Sequence, residues 1–346
     1  MTAAPTHDNE IAIASRNYWG RGMSIIGAII SVSLFVWCIH VAFEADVFTP
    51  LAELDAAGVS AIVGLLALTA ASITLNGLVF WIQAMPLQHL PLRDVLASNA
   101  IAITLGLLPF KMGAVVRALI HVRRNKMSPI DVGLWFGGVI VVLLIIIGSV
   151  VIATLLRPRL DALWYPIFLV TTIAATLIVT QVSRYIATRR ESIPNHAKSP
   201  SRFPRVQRLV GRAMDFSTLL QDRRIVFASV AIRITDTATQ ALRFWLVASL
   251  LQIDLSGVKC VILSAAYFLI GSASPSGSLG AREAGTTGLA IAMQDSDTIA
   301  GATLMISGLE AVTALAMSAV ALAYLTSFCF KSPTVRVSAV PNNDPQ

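Results

Sequence analysis

Residues 274–283 read Ser-Pro-Ser-Gly-Ser-Leu-Gly-Ala-Arg-Glu, and residues 108–117 read Leu-Pro-Phe-Lys-Met-Gly-Ala-Val-Val-Arg. Each stretch places proline, glycine and basic side chains inside a run that is otherwise apolar. Non-helical backbone at membrane depth is tolerated only where it is buried in protein or lines a wet cavity. Interrupted segments in corresponding halves of a chain point to a transport site. We therefore predict that these two breaks carry the function.

The composition indicates a membrane protein. Hydrophobic residues make up 55% of the chain and charged residues 13%, and apolar runs recur at about the 20-residue length that crosses a bilayer. The net charge of +7 comes from basic clusters between these runs, which favours positive-inside orientation over nucleic-acid binding. Cys38, Cys260 and Cys329 lie in or beside apolar runs without metal-ligand spacing, so we expect no disulfide, metal or cofactor.

The predicted fold is all-α, a polytopic membrane bundle of about six full spans and two broken re-entrant hairpins. Each hairpin combines two runs that are too short to cross the bilayer at 1.5 Å per residue. The hairpins pair 95–108 with 111–121 and 258–272 with 281–293. The full spans are predicted at 23–43, 59–85, 135–156, 160–180, 225–251 and 299–328.

Loop charges set the predicted orientation. Arg16 and Arg21 place the N-terminus in the cytoplasm, and the next loop, which is acidic and has no lysine or arginine, lies outside. The first hairpin then enters from the inside and the second from the outside, which is typical of an inverted repeat of 59–156 against 225–328. We predict one transmembrane domain over 18–330 of a multi-pass inner-membrane protein. Residues 1–17 and 331–346 are predicted as disordered cytoplasmic tails, and 183–224 as a basic cytoplasmic loop with an amphipathic helix.

One predicted span carries charges on a single face. Arg233, Asp236, Gln240 and Arg243 are spaced by three, four and three residues, so they share one side of a helix. Each charge facing lipid would cost roughly 2.5–3.5 kcal/mol, so this face must point to the bundle interior or to a wet groove. Two readings stay open: an Arg233–Asp236 pair that locks helix packing, or a polar path for a headgroup or a proton. Glu310 is a further acid within a span, with Arg282, Arg233 or Arg243 as its candidate partners.

The second break resembles a helix start built for an anion. Pro275 and Gly277 end one half-helix, Ser276 or Ser278 caps the next, and that helix begins near Gly280. Free backbone N–H groups at such a start favour a phosphate.

Charged side chains strengthen this reading of both breaks. Arg282 adds a bidentate phosphate donor, and Glu283 either reaches back to the cap or balances Arg282. At the first break Pro109 and Gly113 have the same structural part, with charge from Lys111 and Arg117. The alternative is a simple proline kink at each place, with the basic side chains reaching to the interface.

Both breaks resemble motifs of one family, the flippase-like transmembrane region of lysylphosphatidylglycerol synthase. Residues 108–118 are similar to its Pro-x-x-x-Gly-Glu-x-x-Arg-Ala element, and 274–284 to its Ser-Pro-Gly-Gly-Leu-Gly-x-Arg-Glu element. The resemblance implies translocation of aminoacylated phospholipids, polyprenyl-linked sugars or related lipids. It implies functional roles for Pro109, Gly113, Arg117, Pro275, Gly280, Arg282 and Glu283.

The chain departs from the family pattern in three places. Ala114 stands where the family has Glu, and residues 133–139 lack the acidic and basic cluster of many relatives. The sequence given has no soluble aminoacyl-transfer domain after its last span, so we expect no lysyl transfer.

We predict an inner-membrane, flippase-like translocase that moves, or helps to move, an anionic phospholipid or polyprenyl-linked lipid between leaflets. It is expected to be a transporter rather than an enzyme, with membrane lipids and lipid-biosynthesis enzymes as partners and no nucleic acid. The alternatives are an ion-coupled carrier of a small solute, with Asp236 or Glu310 as its proton site, and a membrane transferase acting on a lipid carrier. The predicted substrate-binding residues are Pro109, Lys111, Gly113, Arg117, Arg233, Asp236, Arg243, Pro275, Ser276, Gly280, Arg282, Glu283 and Glu310.

Overall fold

The structure, a computed structural model, is entirely helical over the residues that it describes. These are 55–107, 112–159, 161–191, 219–274, 278–293 and 299–329, with Ser217 and a few positions between 33 and 40. Apart from those few positions, which are helical, the predicted span 23–43 lies outside the described residues, as do both predicted tails. The helices are α1 (Ala56–Ala84), α2 (Leu92–Gly106), α3 (Met112–Arg124), α4 (Pro129–Leu156), α5 (Trp164–Glu191), α6 (Arg223–Leu250), α7 (Gly257–Ala273), α8 (Ala281–Ala292) and α9 (Ile299–Cys329).

The predicted helices that fall within the described residues are present, and their ends differ where local signals were missed; the amphipathic helix predicted within 183–224 lies outside the described residues. Four helices, α1, α4, α5 and α9, are long and apolar enough to cross a membrane. Helix α4 begins at Pro129, six residues earlier than predicted, because the Ser128 side chain caps it and a proline fits the first helical position. Helix α5 begins at Trp164 and continues to Glu191, so the predicted loop from residue 183 is helical at its start.

Helix α6 is the centre of the bundle. It has 28 residues, or about 42 Å of helix, and it packs against α1, α4, α5, α7 and α9. Apolar clusters flank it, one around Phe244 with α1, α7, α8 and α9 and another around Trp164 with α4, α5 and α7. Helices on several sides exclude lipid from its polar face. This arrangement explains how α6 can have charged side chains near its centre and still lie inside the bundle.

Helices α2 and α3 form one helical hairpin, and α7 and α8 form the other. The four helices have 12 to 17 residues, so each is shorter than the roughly 30 Å hydrocarbon core. A Cβ added at Gly113 would lie 2.0 Å from the carbonyl oxygen of Ala102, so only glycine allows this approach of α3 to α2. The side from which each hairpin enters the membrane, and the inverted repeat, stay predictions.

Candidate functional site

The two hairpins meet at their tips. The backbone N–H of Ser278, just before α8, donates to the carbonyl oxygen of Gly106 at the end of α2, and the Ser278 hydroxyl donates to the same oxygen at 3.0 Å. Ser278 therefore links the hairpins. The sequence also suggested that its side chain caps α8, and the structure shows no such hydrogen bond. Ser276, the other proposed cap, lies outside the described residues.

A cavity of about 390 Å³ lies between the hairpins and the central helices. Its walls come from α1, α2, α3, α4, α6, α7, α8 and α9, with Ser278 at the hairpin junction. Six predicted site residues from four different helices line it: Gly113, Arg117, Arg233, Arg243, Arg282 and Glu310. The folding of the chain thus brings together residues that are up to 197 positions apart, from 113 to 310.

The start of α8 positions Arg282. Gly280 has a φ of 83°, a left-handed conformation that glycine adopts without strain, and its N–H donates to the carboxylate of Glu283. Glu283 thus reaches back to the helix start and also accepts from Arg282 Nε at 3.0 Å and from the hydroxyl of Ser307. Glu283 is fully buried behind the cavity wall, where it holds the arginine and the helix start together.

Glu310 on α9 joins two of the arginines. It accepts from Arg282 Nη1 at 2.8 Å through one carboxylate oxygen and from Arg243 Nη2 at 3.4 Å through the other. Of its three candidate partners, Arg233 is excluded because its guanidinium pairs with Asp236 instead, with 2.7 Å between Nη1 and Oδ2. Both oxygens of Glu310 are therefore engaged by cations.

Asp236 is buried beside the cavity and does not line it. Besides Arg233, it accepts from the hydroxyl of Ser72 on α1 at 2.6 Å and from Gln240 at 3.5 Å. The predicted Arg233–Asp236 pair is thus present and is tied to a neighbouring helix. Arg233 also lines the cavity, so one side chain contributes both to helix packing and to the candidate site.

Arg117 on α3 is held without a carboxylate. Its Nη2 donates to Asn99 Oδ1 at 2.6 Å, and its guanidinium carbon lies 3.7 Å from the centre of the Phe80 ring. Asn76 links this group to the next arginine, because it donates to Asn99 at 2.9 Å and accepts from Arg233 at 3.0 Å. Among the described residues, no acidic side chain pairs with Arg117.

The described charges around the cavity do not cancel. Arg117, Arg233, Arg243 and Arg282 face three acidic side chains, Asp236, Glu283 and Glu310, which leaves one positive charge in excess. Three guanidinium nitrogens, Nε of Arg117, Nε of Arg233 and Nη2 of Arg282, are buried without a hydrogen-bond partner. A buried N–H donor without a partner is costly, so a ligand with acceptor oxygens would be stabilised here.

Sequence reasoning missed the neutral polar residues of the site. Asn76 and Asn99 connect the arginines, and Tyr267 places its ring under Arg282 while its hydroxyl shares a 2.7 Å hydrogen bond with Ser307. A signal was present in α1, where Ser72, Asn76 and Gln83 recur at helical spacing in an apolar run. Of the other predicted site residues, Pro109, Lys111, Pro275 and Ser276 lie outside the described residues.

The model of one protein family, described as the lysylphosphatidylglycerol synthase TM region, matches residues 24–318. The chain belongs to this family. The match covers both breaks and all of the helices that form the cavity, up to the last turns of α9. Together with the four candidate spans, it identifies a membrane protein of a family related to membrane lipids. No curated protein and no solved structure matches the chain.

Proposed function

We propose that this protein is a lipid translocase that moves an anionic phospholipid or a polyprenyl-linked lipid between the leaflets of the cell inner membrane. The observation that carries the proposal is the cavity between two broken hairpins, with four arginines against three acids. A buried excess of positive charge needs an anion, and the family supplies the link to lipids.

The proposed path follows the geometry of the cavity. The headgroup enters between the hairpins, and its phosphate oxygens accept hydrogen bonds from the guanidinium groups of Arg117, Arg233 and Arg282, which line the cavity. A cavity of about 390 Å³ is suited to a headgroup, so the acyl or prenyl tails stay in the bilayer. Separation of the hairpin tips at Ser278 and Gly106 would let the headgroup pass.

The remaining parts of the proposal follow from the sequence. The chain has no Gly-x-x-x-x-Gly-Lys-Ser/Thr loop, and the proposed movement uses no nucleotide. It is a transport step without a change in covalent bonds, with both termini in the cytoplasm and with lipid-biosynthesis enzymes as sources of its substrate.

Reconstitution tests this proposal. The purified protein is placed in phosphatidylcholine vesicles with a trace of fluorescent phosphatidylglycerol, and dithionite then bleaches the label in the outer leaflet. We expect the protected fraction to become accessible faster than in protein-free vesicles. The same rate with and without protein, for phosphatidylglycerol and for a polyprenyl phosphate, would refute the proposal.

Arg117→Gln is the decisive variant. Because Arg117 has no carboxylate partner among the described residues, replacing it leaves no buried carboxylate without its cation. We expect transport to fall about tenfold or more, since a hydrogen bond to a charged group contributes roughly 1.5–3 kcal/mol. Gly148→Ala on α4, where an added Cβ meets nothing within 4 Å, is the matched control and should transport normally.

A further inference from the structure

Resting on the proposed function, we infer that the site selects a headgroup with one net negative charge, a phosphodiester, and rejects headgroups that carry an added ammonium. Arg117 is the specificity-determining residue in this inference. The inference rests on the charges and rings that face the cavity.

An ammonium group would find no free carboxylate on the described cavity wall. Glu310 is the one acidic residue that lines it, and both of its oxygens already accept from Arg243 and Arg282. Asp236 and Glu283 are buried behind the wall and are each bonded to an arginine. An ammonium would therefore enter a site that already has one positive charge in excess, and it would find no free acid to pair with.

Three of the four aromatic rings that line the described cavity wall, all but Phe136, are also engaged. Rings hold ammonium groups through cation–π contacts, in which the cation lies over the ring face. The guanidinium of Arg117 lies over Phe80 at 3.7 Å, that of Arg233 over Phe268 at 4.8 Å and that of Arg282 over Tyr267 at 4.6 Å. Three rings that could hold an ammonium thus each present a face to an arginine.

A phosphodiester satisfies the same groups. One negative charge cancels the excess that the arginines leave, and the phosphodiester oxygens accept hydrogen bonds from the arginines that line the cavity. Because the other three arginines are balanced by three acids, the excess is assigned to Arg117. Neutralising Arg117 should remove the preference for the anion.

Ala114 offers a way to make that change. It lies one helical turn before Arg117 on α3 and lines the same cavity. Side chains three positions apart on a helix are neighbours, so Ala114→Glu would place a carboxylate beside the Arg117 guanidinium. Ala114→Gln gives nearly the same shape without the charge, and it is the matched control.

Binding is measured in detergent by the ligand-dependent rise in melting temperature. The ligands are dihexanoyl phosphatidylglycerol, dihexanoyl phosphatidylethanolamine and dihexanoyl lysyl-phosphatidylglycerol. We expect the first to bind about tenfold or more tightly than the other two, and Ala114→Glu to abolish this difference while Ala114→Gln keeps it. Arg117→Gln gives the same test without an added acid, and Arg117→Lys should retain part of the preference.

Equal binding of the three lipids by the unaltered protein would overturn the inference. So would an unchanged preference in a folded Ala114→Glu or Arg117→Gln variant. Soluble glycerophosphoglycerol separates this inference from the proposed function. If it binds as tightly as the short-chain lipid while no lipid moves in vesicles, the charge selection stands and lipid translocation fails.

Discussion

Gly113→Ala tests the close approach of α3 to α2 on which the first hairpin depends. The added Cβ would lie 2.0 Å from the carbonyl oxygen, 2.9 Å from the carbonyl carbon of Ala102 and 3.0 Å from the nitrogen of Gly106. All three are backbone atoms, so no side chain can turn away to make room. The two helices must separate by about 1.4 Å before the first contact becomes ordinary, at 3.4 Å.

The expected cost follows from this overlap. Overpacking a filled interior costs about 1–3 kcal/mol, and the alanine returns at most about 1 kcal/mol through its higher helix propensity. Because all three contacts are with backbone atoms, we expect a cost near the upper end of that range, and a net loss of about 2 kcal/mol lowers the melting temperature in detergent by roughly 3 °C for a chain of this length. Transport should also fall, because separation of α3 from α2 weakens the hydrogen bond that Arg117 donates to Asn99.

Scanning fluorimetry of the purified protein measures this change. Gly148→Ala is the control, since its added Cβ meets nothing within 4 Å, and it should melt at or above the temperature of the unaltered protein. If Gly113→Ala melts with the control, the two helices do not approach as described, and the reasoning about the first hairpin is refuted.

The remaining predictions concern buried charge pairs. Arg282→Ala leaves the carboxylates of Glu283 and Glu310 without the cation that they share, so the free energy of unfolding should fall by about 3–5 kcal/mol. Adding Glu310→Ala to the same chain should restore part of this loss. Heating followed by size-exclusion chromatography measures both variants, and equal survival of Arg282→Ala and the unaltered protein would contradict the pairing. Asp94→Asn removes the negative charge and one of the two carboxylate oxygens that accept 3.1 Å hydrogen bonds from Arg124, which should cost about 1.5–3 kcal/mol and loosen the base of the first hairpin. Chemical denaturation measures this cost, and an unchanged midpoint would show that the bridge contributes nothing.

The helices were predictable because the bilayer fixes their length and composition. The apolar run of α9 ends within a residue of the predicted position, and the four hairpin helices begin and end within three residues of the predicted positions. The error at α4 came from reading the apolar run alone, although Ser128 and Pro129 are an ordinary helix start. The extension of α5 to Glu191 has a different cause, since a helix can continue into water without an apolar signal.

The arginines of the site were predictable for an energetic reason. A charged side chain in a membrane span is too costly to face lipid, so Arg233, Arg243 and Arg282 had to face protein or water. The acidic partners of these arginines were not predictable, because the distance between each guanidinium and each carboxylate is set by how the helices pack. The sequence allowed Glu310 three arginines, and the structure pairs it with two of them.

The neutral residues show where such reasoning stops. An asparagine in an apolar helix costs far less than a charge, so Asn76 and Asn99 gave no comparable signal, although they join Arg117 to Arg233. The excess positive charge is likewise a property of the assembled cavity. The whole sequence has seven more basic than acidic residues, yet only the packing of α3 against α2 and α4 decides that one of these charges, on Arg117, is buried beside the cavity.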